Sequence, residues 1–241
     1  MTAAGILRST WALVSVFAVE SVVFGLAVLP GVLFWEWHLS YGVDSRWLRV
    51  VFLSMAFIPA YLLFAITLIA LSGLATRLTG WRTPEETEVV IEDFSWPLLD
   101  WARYTVSIHL VRIFAGPLFR STPVWSLYMR WNGARVGKRV FVNSLAVTDH
   151  NLLDLGDDVV IGGDAHLSGH TVESGRLKTA RVRLGRGVTV GVGSVIGIGV
   201  EAGDGCQIGA LSYVPKFEKL EAGAVYAGTP VRKLAVKARE T

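Results

Sequence analysis

Two apolar runs open the chain. Residues 12–34 hold a single charge, Glu20, and residues 50–72 hold none. Each run has 23 residues, roughly 35 Å as an α-helix and enough to cross a hydrocarbon core of about 30 Å. The pattern predicts a two-span transmembrane hairpin with its connector over residues 1–93, anchored at the interfaces by Trp11, Trp35, Trp37, Trp47 and Trp81. A signal peptide is the rival for the first run, but its apolar stretch would be shorter and a small-residue cleavage site would follow. Two spans bring the chain back to its starting side. Arg8, Arg77 and Arg82 flank that side and Arg46 and Arg49 the far turn. This small positive-inside excess puts the large domain in the cytoplasm and makes the chain a multi-pass protein of the cell (inner) membrane.

Over residues 94–131 apolar positions recur at three and four spacing, among them Trp101, Tyr104, Ile108 and Val111. They are interleaved with Arg103, Arg112, Arg120 and Arg130 and divided by Pro97, Pro117 and Pro123. Short amphipathic helices lying in the membrane interface are expected, or a helical collar packed on the spans. A sharper change falls near Asn132. All nine Trp lie at or before Trp131 and 18 of the 25 Gly lie after it, so a second domain is expected over 132–231, with a C-terminal tail at 232–241.

That domain repeats. From Leu184 an aliphatic or small residue returns every six positions, at Val190, Ile196, Ala202, Ile208, Val214, Leu220 and Tyr226, usually followed by Gly, Pro, Glu or Ala. The fragments L-G-R-G-V-T, V-G-V-G-S-V, I-G-I-G-V-E and A-G-D-G-C-Q show the rule, and Val136, Val142, Leu155, Ile161 and Leu167 extend it upstream. A short fixed period with Gly at the bends predicts a β-solenoid, in which stacking supplies the core that no single repeat can bury.

These repeats resemble the hexapeptide-repeat acyltransferases, whose fold is a left-handed parallel β-helix with three six-residue strands per coil. The resemblance covers residues 136–231, read as 15 hexapeptides with one extra residue near Asp149 and five in segment 173–183, hence about five coils. The implied architecture is an all-β helix preceded by two transmembrane helices and interfacial amphipathic helices. The order of parts, with R-W-N-G-A-R-V-G and T-D-H-N-L-L-D-L-G, also resembles the C-terminal membrane modules of ε-poly-lysine synthetase-like nonribosomal peptide synthetases.

Counting every third hexapeptide places those starting at Asp149, Leu167, Val190, Ile208 and Tyr226 in one column. Asp149, His150 and His170 break the apolar rule there, beside the insertion, and polar residues where a repeat expects aliphatic ones mark a site. Acyl transfer from a thioester to a hydroxyl or amine needs a base of near-neutral pKa, which imidazole supplies. His170, in L-S-G-H-T, matches the family's catalytic histidine, with Glu173 or Asp149 to fix its tautomer and His150 as a further candidate. The same column would carry a pantetheine arm past Gly191, Gly193, Ser194, Gly209, Ala210 and Ser212. Near the end, A-G-T-P-V-R-K resembles the family's terminal loop, which puts Gly228, Arg232 and Lys233 at the coenzyme A phosphates. Read from the residues alone, the glycines are β-helix corners and Arg232 and Lys233 a solvated pair.

Composition narrows the classes. Apolar residues make up 52% of the chain and charged residues 18%, and mean hydropathy is +0.47, which excludes disorder and a disulfide scaffold. One cysteine, Cys206, forms no internal bridge, and a net charge of +3 gives no footprint for nucleic acid. The expected protein is a homotrimer in the lipid bilayer, with Glu20 turned toward the bundle of spans. It holds no permanent cofactor or metal and uses acyl-CoA or an acyl-carrier phosphopantetheine as donor to a membrane-proximal acceptor. Two other readings are a non-catalytic trimeric β-helix scaffold and a γ-carbonic-anhydrase-like zinc site built from His150, His166 and His170.

Overall fold

A computed structural model describes residues 2–42 and 44–235. Two long helices lead, α1 (Ala3–Ser40) and α2 (Arg46–Thr79), packed against each other as a hairpin. Both are long and apolar enough to cross a membrane. Small residues set their approach: Ala27, Gly31, Ala56 and Ala60 are buried or in contact between them, and a Cβ added at Gly31 would lie 3.0 Å from the Ala60 carbonyl oxygen. Each helix overruns its apolar run. At 38 residues α1 is roughly 57 Å long, so its first turns and the last turns of α2 project beyond any hydrocarbon core.

The hairpin is flanked by α3 (Trp96–Phe114), α4 (Gly116–Phe119) and α5 (Pro123–Trp131), and α3 lies beside the apolar runs themselves, its Phe114 meeting Phe24 on α1 and Phe64 on α2. Of the two arrangements expected for residues 94–131, packing on the spans is the one observed. Arg103 on α3 donates to Ser15 Oγ at 3.0 Å, Ser107 donates to Glu20, and Thr76 on α2 donates to Asn132 at 2.9 Å. Glu20 thus meets α3 of its own chain. Trp81 departs from expectation: it is buried beneath the Arg103 guanidinium, 5.1 Å from its ring centroid, and is no surface anchor. Trp11, Trp37 and Trp47 are exposed as anchors require.

Residues 135–233 form a parallel β-helix with three walls. The first wall stacks Arg135–Val136, Leu153–Leu155, Val182–Leu184, Glu201–Ala202 and Lys219–Leu220. A second stacks Phe141–Val142, Val160–Ile161, Thr189–Val190, Gln207–Ile208 and Val225–Ala227, capped by antiparallel Arg232–Lys233. The third stacks His166–Leu167, Val195–Ile196 and Tyr213–Val214, with a bridge from Val147 below. The six-residue aliphatic positions point inward: Val142, Ile161, Leu167, Leu184, Val190, Ile196 and Val214 are buried. Each contributes about 1.5–3 kcal/mol of burial.

The hexapeptide count is corrected at the excursion. Leu167 on the third wall and Leu184 on the next lie 17 positions apart where a bare corner takes six. The surplus is an antiparallel hairpin, His170–Glu173 with Arg176–Thr179, joined on its outer side by Glu88–Val90 from the connector. No hexapeptide sits in segment 173–183, so the expected column is displaced by one wall. Leu167 pairs with Ile196, whereas Val190 pairs with Ile161 and Ile208.

Candidate active site

His170 is where the β-helix path is interrupted. It follows the third-wall strand His166–Leu167 and begins the hairpin. Its Nδ1 lies 2.6 Å from Asp149 Oδ2, with the imidazole 24% and the carboxylate 1% exposed. Among the described residues Nε2 has no hydrogen-bond partner. A Trp101 ring from α3 stands edge-on to the imidazole at 5.0 Å between centroids. The histidine is therefore held on one nitrogen and open on the other.

Asp149 is built to stay ionised. It sits in the left-handed region, φ 51°, which Asp tolerates because its short side chain bonds locally. Its Oδ2 accepts from Ser168 Oγ at 2.9 Å, Gly169 N–H at 3.1 Å and Thr148 Oγ at 3.1 Å, and its Oδ1 from Thr83 Oγ1 at 2.6 Å. Burial pushes this carboxyl up, but the bonds from His170, Thr83 and Ser168 outweigh it and hold it below the usual carboxylate range. Thr83 belongs to the connector after α2 and is fixed by Asn151, which accepts from its N–H at 3.3 Å and donates to its carbonyl at 2.8 Å.

The remaining expected residues divide. Asp149, not Glu173, partners His170: Glu173 is taken by Lys216, which ties the hairpin to the β-helix, and at 3.1 Å by Lys178 on the facing hairpin strand, and both hold its carboxyl down. His150 is fully buried, edge-on to Tyr128 and Trp125, with Nε2 donating to the Val147 carbonyl at 3.2 Å. Burial pushes its pKa down to about 4, so it is a neutral core residue out of reach of substrate. It cannot act as an acid or base there, nor join a zinc site at a subunit interface. Among the described residues no cluster of three His, Cys, Asp or Glu side chains could hold a metal. His166 is exposed on the outer face of the third wall, stacked in register with Val195 and Tyr213.

Gly191, Gly193 and Ser194 form the corner between second and third walls, and Gly209, Ala210 and Ser212 the same corner one coil on. His170 lies at the opposite edge of the third wall, because of the one-wall displacement. The two serines are spent internally: Ser194 Oγ donates to Gly209 O at 2.8 Å and accepts from Ser212 N–H at 3.3 Å, while Ser212 Oγ accepts from Gly228 N–H at 3.2 Å. Arg232 and Lys233 are exposed, and Lys233 is paired with Glu221 at 2.5 Å. Tail residues 236–241 lie outside the described residues. Thr83, Ser168 and Trp101 were not foreseen; only Ser168, inside L-S-G-H-T, carried a sequence signal.

No protein-family model matches the chain. It is 26% identical over 111 residues to the delta-poly-L-ornithine synthetase of Acinetobacter baumannii (strain AB307-0294), covering 46% of this chain and 8% of the synthetase. Solved structures it is similar to include acetyltransferases. With the hexapeptide-repeat-containing acetyltransferase VCA0836 from Vibrio cholerae it shares 22% identity at a TM-score of 0.40, over 43% of this chain and 62% of that one. With a maltose O-acetyltransferase from Clostridium difficile 630 it shares 24% at a TM-score of 0.39, over 43% and 59%. The chain thus spans about three fifths of these acetyltransferases and under a tenth of the synthetase.

Proposed function

We propose that the chain is a membrane-anchored acyltransferase, a left-handed β-helix of five coils that moves an acyl, aminoacyl or peptidyl group from a pantetheine thioester to a hydroxyl or amine near the bilayer. The observation that carries this reading is the 2.6 Å bond from His170 Nδ1 to buried Asp149, which leaves Nε2 open. The acceptor O–H or N–H attacks the thioester carbonyl carbon while Nε2 takes its proton. The tetrahedral adduct then expels the thiolate, C–S breaks, and the imidazolium returns the proton to sulfur, giving acylated acceptor and free thiol. Asp149 keeps Nδ1 protonated throughout and stabilises the transient cation.

The donor, acyl-CoA or a carrier arm, lies across the outer face of the third wall over His166, Val195 and Tyr213, between the Gly191–Gly209 corner and His170. Arg232, which has no partner among the described residues, meets its phosphates. A homotrimer supplies the second side of this open wall, and α1 with α2 anchors it in the inner membrane. Thiol release from acetyl-CoA, measured on the full chain in detergent with a panel of amine and hydroxyl acceptors, tests the reading. His170→Ala should lower turnover roughly a hundredfold or more with coenzyme A affinity retained. An alanine variant that keeps near-full transfer overturns it.

A further inference from the structure

We propose that the cleft at the foot of α2 binds a phosphate-bearing anion at the membrane surface, a lipid headgroup or a phosphate drawn from water being the two sources of that chemistry. The cleft, of about 520 Å³, opens where α2 ends and the connector begins. Arg77, Arg82, Arg135 and Arg181 all line it, against one lining carboxylate, Glu85, which leaves three positive charges in one concavity.

These charges are poorly compensated by the protein. Glu85 is committed to Arg181 at 3.2 Å. Arg135 reaches Asp154 at only 3.4 Å, from a side chain 72% exposed. Arg77 gives its Nε to the Trp131 carbonyl at 2.8 Å, which fixes the guanidinium and leaves its terminal nitrogens for a ligand. Arg82 has no partner among the described residues. Guanidinium groups lining one cavity repel one another, an anion between them relieves that repulsion, and their planar forks match phosphate oxygens two at a time.

Position favours the same ligand. The cleft lies at the end of an apolar helix, level with headgroups if α2 crosses the bilayer, where a cytoplasmic leaflet concentrates anionic phosphate. Asn151 on its wall is the residue that fixes Thr83, and Thr83 holds Asp149. Asn151 and Thr83 thus link the cleft wall to the His170 pair by hydrogen bonds. The inference needs neither a thioester donor nor a catalytic base.

The test uses the full chain in nanodiscs. Phosphatidylglycerol retained on the protein is counted by native mass spectrometry, and pyrophosphate is titrated by thermal shift in nanodiscs of phosphatidylcholine alone. Arg82→Gln with Arg135→Gln should reduce retained phosphatidylglycerol at least fivefold if a headgroup fills the cleft. If the source is aqueous, the pair should instead abolish a pyrophosphate-induced rise in melting temperature seen in wild type. Arg186→Gln, an exposed arginine elsewhere on the β-helix, should change neither. Wild type showing neither effect, the double variant keeping both, or Arg186→Gln losing as much would overturn the site.

Discussion

His150 and His170 lie twenty positions apart and have opposite fates, decided by what surrounds each imidazole. His170 has a carboxylate on one nitrogen and an open second nitrogen. His150 has only the Val147 carbonyl and two aromatic edges, so protonating it inside the fold is unfavourable. Its folded pKa of about 4 lies below the ordinary 6.5. Between those values the unfolded chain binds a proton that the folded chain refuses, so stability falls as pH drops from about 6.5 toward 4. The loss reaches about 3 kcal/mol. His150→Gln keeps a donor to Val147 without titrating, and melting curves in mild detergent should flatten across that window. Asp149 acts lower: its depressed folded pKa stabilises the chain above the ordinary carboxylate value and the gain is lost as pH falls through the folded one, so this acid limb should survive in His150→Gln. A variant as acid-sensitive as wild type between pH 6.5 and 4 would disprove the assignment. Both histidines broke the aliphatic repeat and were visible in the sequence for that reason. What separated them was not visible, because burial by Tyr128 and Trp125 and the bond from Thr83 come from segments far away in the chain.

At the scale of elements, six-residue periodicity reported the β-helix walls because one inward aliphatic and one corner suffice for each strand. It failed at the hairpin. An antiparallel pair such as His170–Glu173 with Arg176–Thr179 has its own two-residue alternation, with Leu177 and Thr179 buried, which can pass for part of a hexapeptide. The error moved the column by one wall and put the corner glycines beside His170. Those glycines are required by stacking. A Cβ at Gly191 would collide with the backbone of Ala210 in the coil above, whereas at Gly223 it would meet nothing within 4 Å and suffer only the left-handed φ of 67°. Gly223→Ala should therefore cost about 1 kcal/mol. Gly191→Ala should cost about 3 kcal/mol, read as the difference in urea unfolding of the two variants. Equal losses would mean that coil spacing does not depend on Gly191.

On the scale of the whole molecule, the apolar runs predicted α1 and α2 but not how far they continue, since the last turns of α2 are recruited by α5 through Asn132 and Trp131. That continuation makes hairpin, helical layer and β-helix one packed body, with Thr83 carrying the connector into the site. If α1 and α2 cross the membrane, the turn near Asp44 and the β-helix must lie on opposite sides of it. The chain offers a clean way to test this. Its one cysteine, Cys206, is buried and its thiol is pushed up to about 11 by burial, so it should not react with a maleimide at neutral pH. Cysteine placed at Asp44, and separately at Lys219 on the exposed first wall, then reports sidedness against a silent background. In spheroplasts treated with a membrane-impermeant maleimide, Asp44→Cys should label at once and Lys219→Cys only after lysis if the positive-inside excess at Arg8, Arg77 and Arg82 sets the orientation. The reverse pattern would invert the topology, and labelling of both from outside would mean that the hairpin lies on the membrane without crossing it.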